Sequence, residues 1–316
     1  MSKWFLLSFL LSLFLTACDM WRGGGQQTGS EPSSSGSGAV AEEDDEGKGS
    51  LDARRGAHVL KFSKVGEPLS EATLQALAST HGVETWSAYD PYYKKEKRWR
   101  TIPLLPILKD VFRLDAETLR VKSFVMRASD GYSVPITGEQ LLTDDAYLAM
   151  EDLDFPEWEL AGTQQANPGP IYLVWRSPEH HDLHAWPRPW QLAEIDLASF
   201  EQTFSRTIPD GVEQEGLVAQ GFEIFKTHCV RCHSVNQHGG KLGPELNIPQ
   251  NITEYRPKEQ IRAYIQDPMT FRYGSMPPFK EVLSAAQIDQ VIAYLEHMKT
   301  EKEDPNKATG EEPSGG

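Results

Sequence analysis

The alternation of apolar and polar positions divides the chain into an apolar leader, a polar linker, a mixed segment and a helical C-terminal segment. Trp4 to Leu15 is apolar except for serines. Twelve helical residues rise about 18 Å, less than the roughly 30 Å hydrocarbon core of a bilayer. We therefore interpret residues 1–18 as an export signal.

Residues 52–210 have the patterns of a mixed α and β domain. Apolar residues three to four apart predict helices, and β-branched or aromatic runs predict strands. The expected elements are a helix opened by Ser70 and running to Ala78, a helix Pro106–Phe112, strands Val121–Met126 and Ile171–Trp175, and a turn at Asp130-Gly131.

Residues 211–299 are predicted to be helical at both ends. Glu213–Thr227 carries apolar residues along one face, and Ser284 opens a last helix that runs to Lys299. The chain between them is rich in Gly and Pro. Because so much loop cannot organise itself around two helices, we expect a bound group to order it.

The net charge of −15 is unevenly distributed. Residues 52–210 carry −7 and residues 211–299 carry −1, so nucleic acid is not an expected partner. The acidic Gly/Ser-rich residues 19–51 and the tail 300–316 are predicted to be disordered. As a flexible tether, residues 19–51 would reach about 30 Å, although a passive spacer is an equal alternative.

The first of three cysteines ends the leader. Leu15-Thr16-Ala17-Cys18 resembles a bacterial lipobox, which implies cleavage before Cys18 and lipid attachment to it. The alternative is an ordinary signal with a chance cysteine. The resemblance places the protein on the periplasmic face of a bacterial membrane, and Asp19 resembles an inner-membrane retention signal.

The other two cysteines lie in Cys229-Val230-Arg231-Cys232-His233, the attachment pattern of c-type haem. Two cysteines three apart on a helical turn reach the two vinyl groups of one porphyrin edge, and His233 then lies under the iron. A redox dithiol or half of a zinc site are the alternatives, but no second cysteine pair exists. The motif predicts one covalent haem c.

The second iron ligand is expected downstream. Met276 lies 43 residues after His233, in a Gly- and Pro-rich loop, and Met269 is its rival. Thioether sulfur favours reduced iron. Pro244 is placed for its backbone carbonyl to accept a hydrogen bond from the other ring nitrogen of His233.

Residues 214–299 resemble a class I cytochrome c. The matching features are Gly221 and Phe225, the Cys229–His233 motif, Leu242-Gly243-Pro244-Glu245-Leu246, Met276-Pro277 and Ala293-Tyr294-Leu295. The resemblance implies an all-α domain in which Gly221 packs on the last helix near Tyr294. It also implies His/Met ligation of the haem.

The middle domain is similar, in the order of its motifs, to a sulfite-oxidase-type molybdopterin domain. The motifs are Arg100 to Leu108, Val121 to Ile136, Gly169 to Val174 and Trp186 to Leu197. That family ligates molybdenum with a cysteine, and residues 52–210 contain none. We therefore expect no molybdenum cofactor, and an α+β chain whose mixed middle domain is a scaffold or docking surface.

Two local features of the middle domain remain open. His180, His181 and His184 could hold a second metal, copper or zinc, with His180 and His184 on one helical face, or could lie in a solvated loop. Lys94 to Arg100 carries +4 and could receive an acidic partner or an oxyanion, or be a solvated face.

The features together favour a lipid-anchored cytochrome that moves single electrons between redox proteins of the periplasm or membrane. One alternative is the haem subunit of an oxidoreductase whose substrate or second metal site lies in the middle domain. Another is a sensor whose haem state changes docking. Whether the chain is itself an enzyme stays open.

Overall fold

The computed structural model describes residues 57–304, except residues 144, 163, 272, 273 and 275. Cys18, the leader and the tether lie outside the described residues. The described residues belong to one compact unit. Within them, no helix has the length and apolar character needed to cross a bilayer.

The described chain is rich in strands up to residue 197 and mainly helical afterwards. The strands are β1 Val59–Lys64, β2 Glu67–Thr73, β3 Glu84–Asp90, β4 Lys95–Pro103, β5 Ser123–Ala128, β6 Ser133–Thr137, β7 Ala146–Asp152, β8 Tyr172–Trp175, β9 Leu192–Leu197, β10 Ser234–Val235 and β11 His238–Gly239. The α-helices are α1 Leu74–His81, α2 Leu104–Phe112, α3 Ala116–Arg120, α4 Gly138–Leu141, α5 Phe200–Thr203, α6 Leu217–Ile224, α7 Ile252–Tyr255, α8 Lys258–Gln266 and α9 Ala285–Met298.

Two sheets build the N-terminal part. Five strands follow the order β2-β1-β9-β5-β6, with β1 and β9 parallel and the other pairs antiparallel. Four antiparallel strands follow the order β3-β4-β7-β8. Helix α2 buries Leu104, Ile107 and Leu108, which are spaced to share one face, in a core that includes side chains from both sheets.

The first helix begins later than the sequence predicts. Residues Glu67–Thr73 pair with β1 as an extended strand, so Ser70 does not cap a helix. The cap is Thr73, whose side chain accepts a hydrogen bond from the Ala76 N–H at 3.2 Å. Ser70 and Thr73 both have side chains that can cap a helix. Because residues 67–73 pair with β1, the helix begins only after Thr73.

The predicted turn between β5 and β6 is confirmed. The Asp130 carboxylate accepts from the Tyr132 N–H at 2.9 Å, and Gly131 has a φ of +95° that other residues rarely adopt. The turn therefore has a fixed shape, and it contacts the C-terminal part of the chain, as described below.

The first and last helices of the C-terminal part cross closely. A Cβ added at Gly221 in α6 would lie 1.9 Å from the Gln290 carbonyl oxygen and 3.0 Å from the Tyr294 Cβ in α9. The predicted packing of Gly221 near Tyr294 is therefore confirmed. Ser284 caps α9 with a capping box, also as predicted. The short pair β10–β11 is a departure from the expected all-α domain.

The two parts of the chain share an apolar cluster. Phe200 and Phe204, which the sequence assigns to the middle domain, pack with Phe222 and Tyr294 of the helical part. The Tyr294 hydroxyl donates to the Thr207 carbonyl at 2.7 Å. Residues on both sides of the predicted boundary between 210 and 211 thus pack in one cluster.

We expect Gly221→Ala to lower the free energy of unfolding by about 1–3 kcal/mol, the usual cost of overpacking. The added methyl group meets backbone of α9, so the helices must separate, and this outweighs the better helix propensity of alanine. Urea unfolding measures the change. Gly274→Ala is the control, because a Cβ added at Gly274 would meet no atom of the described residues within 4 Å. Equal midpoints for the two variants would contradict the close crossing.

Candidate haem-binding site

The two motif cysteines lie at the C-terminal end of a helix, one in its last turn and one just after it. Helix α6 continues through a π-helical turn, Phe225–Cys229, and the Cys229 carbonyl then accepts from the N–H groups of Cys232 and His233 at 3.1 and 2.9 Å. This tight turn places both thiols in half-buried positions, and neither forms a disulfide. The local chain therefore presents the two sulfurs beside the imidazole that follows them.

Both thiols are held in the protonated form. Burial raises the pKa of the Cys229 thiol to about 12 and that of the Cys232 thiol to about 11. Redox-active cysteines have lowered thiol pKa values, so the raised values are unlike those of a redox dithiol. Among the described residues, no three His, Cys, Asp or Glu side chains group as metal ligands, so the two cysteines have no further ligands of a zinc site beside them.

The imidazole of His233 is oriented by its backbone neighbour. Its Nδ1 lies 2.9 Å from the Pro244 carbonyl oxygen, so Nδ1–H donates and Nε2 keeps a free lone pair. The predicted contact to Pro244 is thus present. Burial lowers the pKa of His233, which keeps the ring neutral and able to bind a metal ion.

Gly243 lets the chain pass across the histidine ring. A Cβ at this position would lie 2.5 Å from the His233 Cε1, a separation at which no side chain can be accommodated. The Gly243-Pro244 pair thus forms a cradle that fixes the plane of the ring. Two thiols, a neutral imidazole and this cradle fit a covalently attached haem.

The two candidate methionines lie in different surroundings. Met276 is half-buried against the cluster that includes Ile261, Phe279 and Leu283. Met269 has 48% of its surface exposed. Of the two methionines, Met276 is therefore the one whose side chain is held by packing.

The three histidines of the middle domain do not come together. Only Pro178–His180 is helical, as a short 3₁₀ turn, so His180 and His184 do not share a helix face. The His180 Nδ1 contacts the Asp145 carboxylate, His181 stacks on Tyr89 with ring centres 5.0 Å apart, and His184 meets His228. The three-histidine metal site that the sequence left open is not formed among the described residues, because each ring has a different partner.

The basic run of β4 is neutralised within the chain. Lys97 is fully buried and contacts Asp152 at 2.6 Å and Glu159 at 2.9 Å. Arg98 pairs with Asp154 at 2.7 Å. The acidic residues that pair with this basic run thus lie largely in segment 151–159 of the same chain.

A junction between the middle domain and the Cys-x-x-Cys-His segment was not anticipated from the sequence. The Ser133 N–H donates to the Arg231 carbonyl at 2.9 Å, and the Lys241 N–H donates to the Gly131 carbonyl at 2.8 Å. The His184 and His228 Nδ1 atoms lie 3.2 Å apart. The predicted turn at Asp130-Gly131 was the available signal, but nothing in the sequence pairs it with residues about 100 positions away.

The comparisons with known proteins concern the C-terminal part. The family model for cytochrome c oxidase, cbb3-type, subunit III, matches residues 216–295. These residues are a cbb3-type cytochrome c domain. A cytochrome c domain implies covalently bound haem c.

Three relatives match segments of 92 to 110 residues of this chain. The cbb3-type cytochrome c oxidase subunit FixP of Sinorhizobium medicae is 30% identical over 33% of this chain and 36% of its own. A nicotinate dehydrogenase subunit of Pseudomonas putida is 31% identical over 32% of this chain and 9% of its own. Cytochrome c oxidase subunit 2 of Alkalihalophilus pseudofirmus is 29% identical over 27% of each. The chain therefore spans little more than a third of these relatives at most.

Proposed function

We propose that this protein is a lipid-anchored c-type cytochrome that passes single electrons between redox proteins of the periplasm or the membrane. The observation that carries the proposal is the His233 geometry within a cytochrome c domain: two thiols stand beside an imidazole whose Nδ1 is engaged and whose Nε2 is free. Bound haem supplies a one-electron couple. The chain holds it by Cys229 and Cys232 and orients His233 through Pro244.

Met276 is our proposed second axial ligand. Its half-buried position against Phe279 and Leu283 supports this choice, as does the exposure of its rival Met269. Sulfur ligation stabilises the ferrous state relative to the ferric state and so raises the potential. If His233 and Met276 both held the iron, it would have no open position for a substrate, and the group would supply electron transfer.

The attachment to the membrane follows from the leader. The resemblance of Leu15-Thr16-Ala17-Cys18 to a lipobox supports a lipid on Cys18, with Asp19 favouring the inner membrane. The polar residues 19–51 would then act as the tether. The oxidase-subunit names of the FixP relatives support partners that are themselves redox proteins of a membrane.

We propose that the middle domain is a sulfite-oxidase-type fold that works without molybdenum. The order of its sequence motifs supports the fold, and the lack of a cysteine in residues 52–210 supports the loss of the metal. The second candidate function is the haem subunit of a dehydrogenase. The alignment with the nicotinate dehydrogenase subunit favours this second function. The name of that relative indicates substrate oxidation, and part of its chain is similar to part of this one.

A redox titration combined with metal analysis of the full-length holoprotein tests the proposal. We expect a single reversible one-electron wave, one iron per chain and no stoichiometric molybdenum or copper. A second wave, or molybdenum equal to iron, would instead support an enzyme with its own substrate site in the middle domain. Absence of iron would refute the cytochrome itself.

A further inference from the structure

Arg231, one of the two residues between the haem cysteines, is held by the middle domain. Its Nη1 donates to the Leu183 carbonyl at 3.2 Å and its Nη2 donates to the His184 carbonyl at 2.6 Å. Since the Ser133 N–H also binds the Arg231 carbonyl, both the backbone and the side chain of this residue are fixed.

The charge of this guanidinium is not neutralised nearby. Within the described part of the chain, Arg231 forms no ion pair with a carboxylate, and the acceptors of its side chain are the neutral Leu183 and His184 carbonyls. Its Nε is buried without a hydrogen-bond partner. A half-buried cation with only neutral partners has a stronger field than an exposed one, because less water screens it.

The neighbouring titratable groups respond to this field. Burial, followed by the charges of His184 and Arg231, lowers the pKa of His228 to about 4, and burial and Arg231 lower the pKa of His184. Both imidazoles are therefore neutral at pH 7 and add no charge of their own. Asp182 and Asp130 act weakly in the opposite direction on His228 and Cys232, and neither reaches the guanidinium as an ion-pair partner.

The same charge lies at the two attachment cysteines. Arg231 follows Cys229 by two residues and directly precedes Cys232 in the tight turn. In a haem held by both cysteines, the propionates would lie on the edge opposite the thioether links. They would therefore not neutralise a cation at the cysteine edge.

We propose that the middle domain sets the haem midpoint potential by fixing the Arg231 guanidinium, without a counter-charge, at the thioether edge. The inference rests on the proposed haem function and gives the middle domain a role that needs no cofactor of its own. Reduction adds one electron from a one-electron donor to ferric iron and moves no atom of Arg231. A fixed cation disfavours the more positive ferric state, so it raises the potential.

The test is potentiometry on full-length Arg231→Gln, Arg231→Lys and the matched control Arg256→Gln. Arg256 is an exposed arginine of the same domain that lies over the Tyr255 ring. We expect Arg231→Gln to lower the midpoint potential while keeping its covalent haem. Arg231→Lys should retain most of the wild-type value, and Arg256→Gln should leave the potential unchanged.

Measurement of the potentials at high salt distinguishes the effect of Arg231 from the effect of exposed surface charges. At about 1 M salt the Debye length falls to about 3 Å, and the influence of exposed charges is screened. The difference between wild type and Arg231→Gln should persist at that concentration, because the guanidinium is partly buried at the junction.

Two results would overturn the inference: an unchanged potential in haem-loaded Arg231→Gln, or an equal shift in Arg256→Gln. If Arg231→Gln fails to load haem, Arg231→Met becomes the test. Its neutral, unbranched side chain of similar length removes the charge and should also lower the potential. An unchanged potential in that variant would also refute the role of the junction. The haem content of each variant reports separately on the proposed function.

Discussion

Replacement of Cys229 and Cys232 by serine should give a chain with no covalently bound haem. A thioether link requires a thiol sulfur that adds to a vinyl group, and the serine hydroxyl does not make this bond. Within the described structure, the two half-buried thiols form no disulfide and belong to no group of metal ligands. Neither kind of bond therefore explains why both lie at this turn. On a denaturing gel stained for haem peroxidase activity, the band of the double variant should be absent.

The third cysteine provides the matched control. Cys18→Ser removes a thiol that we assign to lipid, so this variant should keep the haem band while losing its attachment to membranes. A haem band that persists in the double variant would refute attachment at Cys229 and Cys232. A band lost in Cys18→Ser alone would move the attachment to the leader.

Met276→Ala should remove the weak sulfur-to-iron charge-transfer band of the oxidised protein and lower the midpoint potential. The soft thioether that stabilises ferrous iron is lost, and water or another ligand takes its place. The change should be a substantial fraction of the roughly 0.8 V range over which axial ligands set haem potentials. Optical spectra of the oxidised protein and potentiometry measure the two effects.

Met269→Ala is the control for this substitution. Because Met269 is 48% exposed and lies outside the cluster around Phe279, its replacement should change neither the band nor the potential. If Met269→Ala loses the band and Met276→Ala keeps it, the assignment of the axial ligand is reversed.

Much of the haem site is local in sequence and could therefore be predicted. The cysteine spacing, the adjacent histidine and Gly243-Pro244 all lie within the sixteen residues 229–244, and the His233–Pro244 hydrogen bond follows from them. The contact of Gly221 with α9 spans about 70 residues, and it came from the family resemblance, since only a glycine permits so close a crossing.

The remaining features depend on contacts between distant parts of the chain. Residues 67–73 have helix-capping chemistry, but pairing with β1 makes them a strand. The spacing of His180 and His184 suits a helix, but the chain forms only a 3₁₀ turn before Asp182. Arg231 is an ordinary residue of the motif by sequence. Its importance arises from the Leu183 and His184 carbonyls, which only the fold brings to it.

The most direct test of the account is the intact mass of the full-length protein under denaturing conditions. We predict a chain whose mass exceeds that of the polypeptide and its lipid by one haem, with peptide mapping placing the addition on the segment that contains Cys229 and Cys232. A polypeptide without this mass, isolated from cells able to make c-type cytochromes, would contradict the central claim.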